Sequence, residues 1–259
     1  MYLPIPTQKT CAAAWLEATK HVTGKPKHEA HNVIIDIATP LVQTTNDKEI
    51  IEAADKFLHE HDRQAIQTVA NTIFPEELYC AYGAPNFIEK FHKDILPKIR
   101  KRDRWSGYYF ERMTAVPVQD GKPINMLWDI VERIRSESNK SLNRFEISIF
   151  DPQRDIDNSP YGGQCLSFLS FKLTSGTQRK KLMLTAMYRN HYYIEKLLGN
   201  VIGLARLISF VSREAGVDAG ELTVVSTHAV VDTPNKAKRS DVNSLIERCT
   251  SIAGASEAA

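Results

Sequence analysis

Residues 165–188 read CLSFLSFKLTSGTQRKKLMLTAMY. In an extended chain, Cys165, Ser167, Leu169, Phe171 and Leu173 fall on one face, and Leu166, Phe168, Ser170 and Lys172 on the other. Both faces are mostly apolar, as in a strand buried within a sheet. TSGTQRKK then has turn chemistry and charge, and Leu182–Tyr188 (LMLTAMY) is a second apolar run, so the stretch is expected to form a β-hairpin.

Beyond the hairpin, Ile194, Leu197, Leu198, Val201, Ile202, Ala205, Ile208 and Val211 recur at helical spacing. This stripe predicts a long, central, buried helix that ends at Gly216. After Gly220, ELTVVSTHAVVD is β-branched and suits another strand. On the N-terminal side, Arg144–Phe150 alternates and breaks at Asp151-Pro152. Ile124–Arg135 and Pro85–Ile99 carry helical patterns, as does the segment from Asp47, with Asn46 as its expected cap. Asn32–Ala38 reads as a buried strand. Strands and helices come in separate runs, which predicts an α+β fold with a mixed sheet packed on the long helix. No repeat or low-complexity linker divides the chain. The expectation is one domain over residues 1–250 and a flexible tail, SIAGASEAA, over 251–259.

Composition narrows the function. The 259 residues are 42% hydrophobic and 25% charged, which is globular. Thirty-three basic residues against 31 acidic ones give a net charge of +2, too small for the electrostatic footprint of a nucleic-acid binder. The basic run Lys93–Arg104, followed by Trp105, Tyr108 and Tyr109, is therefore read as a solvated helix end. No apolar stretch approaches the ~18 residues of a membrane span, and the N-terminus lacks the pattern of a secretory signal, so a cytoplasmic protein is expected. Four dispersed cysteines, Cys11, Cys80, Cys165 and Cys249, form neither a disulfide framework nor a zinc motif, and no metal is expected. Dinucleotide and P-loop glycine motifs are absent.

Cys165 is the most informative thiol. It follows Tyr161-Gly162-Gly163-Gln164, whose glycines permit close approach of backbone or ligand. It is either a nucleophile at the mouth of a strand or a buried structural thiol.

The order of segments around it, NRFEISIFDP, GGQCLSFLSFKL, LMLTAMYRN, EKLLGNVIGLARL and ELTVVSTH, resembles the thymidylate synthase family. There the series runs S-R-R-x-x-x-S-x-W-N-P, P-C-H-x-x-x-x-F, L-Y-Q-R-S, L-G-x-P-F-N-I-A and G-D-x-H-x-Y. The likeness spans about residues 140–232, and RWSGYYFERM echoes the family's Y-G-x-x-W-R. It is that of a divergent relative, similar also to pyrimidine nucleotide hydroxymethylases.

The resemblance implies a homodimer joined through its sheets. It implies a Cys165 thiolate that adds to C6 of a pyrimidine nucleotide or nucleoside, making C5 nucleophilic toward the one-carbon unit of 5,10-methylenetetrahydrofolate, with a methyl or hydroxymethyl product. On the substrate side it places Gln164, Tyr188, Asn200 as reader of the pyrimidine edge, His228 at the sugar, and Arg144 reaching a phosphate in the partner subunit. Ungapped counting puts Val201 where Asn200 is wanted. The family's second phosphate arginine falls on Asn190, with Arg189 one place earlier. Its folate-side aspartate falls on Tyr193, its catalytic glutamate on Asn71, and the histidine after the cysteine on Leu166. Lys25 or Lys27 stands nearest its N-terminal arginine loop. Changes at Asn71, Asn190, Tyr193 and Val230 keep open an alternative, a nucleotide-binding or regulatory protein that has lost catalysis.

Overall fold

The computed structural model describes residues 2–100, 107–118, 121–136, 141–155, 163–174 and 179–255. Lys101, Arg102, Arg104 and Trp105 of the basic run, Tyr161 and Gly162 before the cysteine, and residues 256–259 of the expected tail lie outside the described residues.

The strands are β1 (Leu3–Pro4), β2 (Glu29–Ile37), β3 (Phe145–Ser148), β4 (Leu166–Thr174), β5 (Lys181–Tyr188), β6 (His191–Tyr192) and β7 (Asp218–Val230). The helices are α1 (Cys11–Thr23), α2 (Thr45–Glu60), α3 (Ile66–Ile73), α4 (Glu76–Tyr82), α5 (Asn86–Lys90), α6 (Leu96–Ile99), α7 (Tyr109–Thr114), α8 (Met126–Arg135), α9 (Pro152–Asp155), α10 (Leu198–Ala215) and α11 (Arg239–Gly254). π-helical turns at Phe91–Ile95 and Tyr193–Leu197 lead into α6 and α10. No helix among the described residues is long and apolar enough to cross a membrane.

The hairpin forms as read, with β4 and β5 antiparallel from Leu166↔Tyr188 to Thr174↔Lys181. Strand order is β1-β2-β7-β5-β4-β3, with β6 continuing beside β7. β5 and β7 run parallel while β3–β4, β4–β5 and β2–β7 are antiparallel, so the sheet is mixed. One face buries Val33, Ile35, Leu184, Ala186, Leu222 and Val224. Onto this side pack α10, against β5 and β7, and α1, against β2. On the other face Ile34, Phe168, Met183 and Val225 are half-buried, and Met187 is exposed.

α10 is the central helix that the stripe predicted, and Gly216 ends it in the left-handed conformation at φ 72°. Its close partner is α3. A Cβ on Gly199 would lie 2.6 Å from Val69 Cβ, and one on Gly203 would lie 2.7 Å from the Ala70 carbonyl oxygen, so these glycines set the helix separation. Two local expectations need correction. α2 is capped by Thr44, whose Oγ1 accepts from the Asp47 N–H while Asp47 accepts from the Thr44 N–H; Asn46 instead donates to the Ile252 carbonyl. α11 runs to Gly254, so residues 251–254 are helical rather than tail. Its buried stripe, Val242, Leu245, Ile246 and Cys249, packs on α2 and α1 and holds that turn in place.

Candidate active site

Register brings the cysteine to its surroundings. Because Leu166 pairs with Tyr188, Cys165 lies across from Arg189, whose N–H donates to the Cys165 carbonyl at 2.9 Å. The chain then breaks from the β5 ladder and rejoins β7 as β6, where His191 pairs with Ala229. At this end of the sheet lies a cavity of about 380 Å³ lined by Cys165, Gln164, Tyr109, Asn190, Lys196 and Asn200. Val69 and Thr72 of α3 reach it, as do Ile99 and Tyr108.

The turn before Cys165 is set from beneath by a buried ion pair. Arg112 grips Asp155 with two bonds of 2.6 and 2.8 Å, and donates to the Ile149 carbonyl at 3.1 Å. Gly163 has φ 75°, and a Cβ there would lie 3.1 Å from Asp155 Cβ, so both conformation and space call for glycine. Gln164 donates to the Gly107 carbonyl at 2.5 Å, and Arg189 Nε donates to the Gln164 carbonyl at 3.0 Å. Backbone and side chain of Gln164 are thereby held, and the cysteine that follows is presented from a fixed turn.

Electrostatics separate Cys165 from the other thiols. Burial holds its pKa above the ordinary thiol value, and the cations Arg189 and Lys196 offset part of that rise. Cys11 is pushed up to about 12 by burial with the Asp47 charge adding, and Cys249 to about 11 by burial. Cys80 is exposed on α4. Among the four, Cys165 combines a cavity with opposing cations. Tyr109 stands beside it, its hydroxyl accepting from the Leu166 N–H at 3.4 Å. Burial, with the Cys165 charge adding, raises the Tyr109 phenol, so it stays protonated. The Tyr188 hydroxyl is buried with no hydrogen-bond partner among the described residues, and burial holds it well above its ordinary value, Tyr109 and Cys165 adding to the effect. Lys196 Nζ donates to Gln64 Oε1 at 3.3 Å, and burial lowers its pKa.

The two cavity asparagines rest on histidines. His228 Nδ1 lies 2.9 Å from Asn190 Oδ1, with the Glu29 carboxylate 3.6 Å from Nε2. His191 is fully buried and stacked on Tyr188, with ring centroids 4.0 Å apart; its Nε2 lies 3.0 Å from the Asn200 amide and its Nδ1 3.0 Å from Ser226 Oγ. Burial drops the His191 pKa to about 3, so the ring is neutral.

The expected site residues thus divide. Cys165, Gln164, Asn190 and Asn200 line the cavity, Val201 does not, and Tyr188 backs it through the His191 stack. Arg189 is tied to the turn carbonyls. His228 does not itself line the cavity but meets Asn190, which does. Asn71 lines a different hollow, of about 410 Å³, and accepts from Arg206 at 3.2 Å; its helix turns Val69 and Thr72 toward Cys165 instead. Tyr193 is completely buried with its hydroxyl on Ser226, and it lines neither hollow. Arg144 is exposed at the start of β3, its carbonyl accepting from Arg133, and stands outside this cavity. Lys25 and Lys27 are exposed and do not reach it. Tyr109, Lys196, His191 and Ser226 were not anticipated as site residues. The echo RWSGYYFERM contained Tyr109 and Arg112 without distinguishing them.

No protein-family model matches the chain. Three archaeal proteins named "Putative thymidylate synthase" are similar to it. The one from Methanopyrus kandleri is 33% identical over 108 residues, 42% of this chain and 48% of that protein. Those from Methanothermobacter marburgensis and Methanothermobacter thermautotrophicus are 28% and 26% identical over 155 and 157 residues, each stretch covering 60% of this chain and 63% of the relative. The matches therefore span about half to two thirds of these relatives.

Proposed function

We propose that the protein is a thymidylate synthase-like transferase that adds a one-carbon unit to C5 of a pyrimidine nucleotide, with Cys165 as the covalent nucleophile. The observation that carries this is a thiol on a braced turn, opposed by Arg189 and Lys196, at the wall of a cavity that also presents two oriented amides. It agrees with the names of the archaeal relatives and with the order of segments around the cysteine.

A neutral pyrimidine is a poor carbon nucleophile. Addition of the Cys165 sulfur to C6 places an electron pair on the C5–C4–O4 system as an enolate; once C5 has bonded to the one-carbon unit, loss of the C5 proton to a base and departure of the same sulfur as thiolate restore the ring. Lys196 and Arg189 favour the thiolate before addition. Tyr109, protonated, lining the cavity and beside Leu166 N, offers a hydroxyl that can donate toward the adduct. Asn200 and Asn190 offer polar groups to the ring edge and its substituents.

A folate carrier fits the adjoining space: the hollow of about 410 Å³ lined by Leu78, Phe91, Ile95 and Ile99 meets the Cys165 cavity at Ile99 and Tyr108, and these apolar and aromatic groups suit a flat ring system. When bound, 5,10-methylenetetrahydrofolate would supply the methylene carbon. Ile99 and Tyr108 would be its contacts closest to the reacting ring. The product is methylated or hydroxymethylated according to whether hydride or water completes the reaction. Two copies joined through the face bearing Phe168, Met183, Met187 and Val225 would bury that apolar surface, and Arg144 would then serve the neighbouring subunit.

A second reading, a nucleotide-binding protein without turnover, is favoured by the absence of Asn71 or any carboxylate from the cavity lining among the described residues. Incubation with uridine and cytidine nucleotides, with and without methylenetetrahydrofolate, followed by mass analysis of the small molecules, separates the two. Folate-dependent gain of a methyl or hydroxymethyl group supports the transferase. Thermal stabilisation by a nucleotide without any product supports the binding protein.

A further inference from the structure

Chemistry at C5 needs a group that can take a proton and give one up, and the lining of the Cys165 cavity narrows the choice. Among the described residues the lining holds no carboxylate. Phenols release a proton only well above neutral pH, and burial raises those of Tyr108 and Tyr109 further. Tyr192 is exposed. His191 is neutral, and its two ring nitrogens already face Ser226 and Asn200. Lys196 is left, half-buried and lining the cavity together with Cys165.

The fold holds Lys196 in place without locking its charge. It lies in the π-helical turn Tyr193–Leu197, whose start is tied down by Asp232, which accepts from the Ile194 N–H at 2.8 Å and from the Glu195 N–H at 3.3 Å. Glu195 is paired with Arg63 at 2.9 Å. Lys196 Nζ itself donates to the uncharged Gln64 Oε1 at 3.3 Å and makes no salt bridge among the described residues. An ammonium bonded to a carboxylate keeps its proton, whereas one that rests on an amide oxygen in a partly dry cavity gives it up more readily. Burial is the largest influence on Lys196 and lowers its pKa, with Arg63 acting in the same sense against Glu195, Asp232 and Cys165. Arg189, the other cation acting on Cys165, is a guanidinium and does not lose its proton.

We propose that Lys196 is the proton carrier of this site, a catalytic residue whose amine removes the proton from C5 of the ring while Cys165 is bonded at C6. This rests on the cavity being a pyrimidine site with Cys165 as nucleophile. The protons balance with water as the only other reactant. The Lys196 amine takes the Cys165 thiol proton, leaving thiolate and ammonium. The sulfur bonds to C6, and the C5–C6 π pair becomes the enolate of C5, C4 and O4. A proton that enters at one face of C5 leaves the original one on the other face. Water supplies the incoming proton, and the Lys196 ammonium neutralises the hydroxide, which frees the amine. The amine then removes the original C5 proton, the electron pair returns to the C5–C6 bond, and the sulfur departs as thiolate. The net result is exchange of the C5 hydrogen with solvent. Where C5 bonds to a one-carbon unit in place of the incoming proton, the original proton meets the same amine.

The test therefore needs no one-carbon donor. Deoxyuridine and deoxycytidine monophosphates are incubated with the protein in D₂O, and loss of the H5 resonance in ¹H spectra gives the exchange rate. The native protein should exchange H5 of at least one of them. Lys196→Arg keeps the positive charge that favours the Cys165 thiolate but does not release a proton; it should lower kcat for exchange about 100-fold or more while KM changes by less than about threefold. Exchange by folded Lys196→Arg at the native rate overturns the proposal, because charge alone would then suffice, and leaves the pyrimidine reading standing. Should that variant unfold, Lys196→Ala with added ethylamine decides: exchange that rises with amine concentration supports a proton carrier, and exchange indifferent to the amine overturns it. A native protein that exchanges H5 of neither nucleotide overturns the pyrimidine reading and the role of Lys196 together, an outcome distinct from the failure of Lys196 alone.

Discussion

At the scale of single residues, the site depends on groups that never face the cavity. Arg112 and Asp155 are paired by two short bonds in the interior, and Asp155 also accepts from the Asp151 N–H at 2.9 Å. Removing one partner leaves the other charge buried and uncompensated, so Arg112→Met is expected to cost about 3–5 kcal/mol in denaturant unfolding. A loss under about 1 kcal/mol would show that the pair does not brace the turn at Gly163. The resemblance singled out Cys165 and, with one residue deleted, Asn200, and both line the cavity. Their supports were not legible in this way. Ser226 and His191 are 35 positions apart and meet through the pairing of β6 with β7, which no local pattern records. Asn71 lines the neighbouring hollow for a related reason: counting residues across a loop does not fix which way a helix faces, and in α3 the Cys165 cavity receives Val69 and Thr72.

At the scale of elements, the contact between α10 and α3 sets the wall of the cavity, since Asn200 belongs to one helix and Val69 and Thr72 to the other. Gly199 and Gly203 let the helices approach closely. Gly199→Ala places a methyl against Val69 and the Ile66 carbonyl, and is expected to destabilise the fold by about 1–3 kcal/mol despite alanine's better helix propensity. Thermal unfolding checks the sign; a more stable variant would mean that the helices can part without loss. The elements themselves were largely legible, since the hairpin, β7 and α10 carry strong periodicity. The cap of α2 was not, because Thr44 and Asn46 are both good caps and the choice fell to Asp47, which completes the reciprocal pair with Thr44. The last turn of α11 was hidden by its small residues, which read as tail until its apolar stripe is seen against α1 and α2.

At the scale of the whole molecule, pH and association are informative. His191 is pushed from an ordinary 6.5 to about 3, so its burial contributes stability that is complete above pH 6.5 and is lost as pH falls toward 3. Asp232, raised to about 6 by burial while accepting from the Ile194 N–H, acts with the opposite sign, contributing below its ordinary value and losing that contribution as pH rises through 6. Between pH 6.5 and 4 the native chain should therefore lose about 3 kcal/mol more than His191→Gln, as read by urea unfolding at each pH. Equal pH slopes would contradict a neutral buried imidazole. The open sheet face makes a separate demand. Met187 is 39% exposed beside half-buried Met183 and Val225, and sedimentation should find a dimer that Val225→Asp converts to monomer. A native monomer at micromolar concentration would remove Arg144 from the proposed site. The most direct test of the chemistry is the intact mass of the protein after incubation with 5-fluorodeoxyuridine monophosphate and methylenetetrahydrofolate. A covalent adduct on the native chain, absent from a folded Cys165→Ser variant, is the expected result; an adduct of equal yield on Cys165→Ser would contradict the assignment of Cys165 as nucleophile.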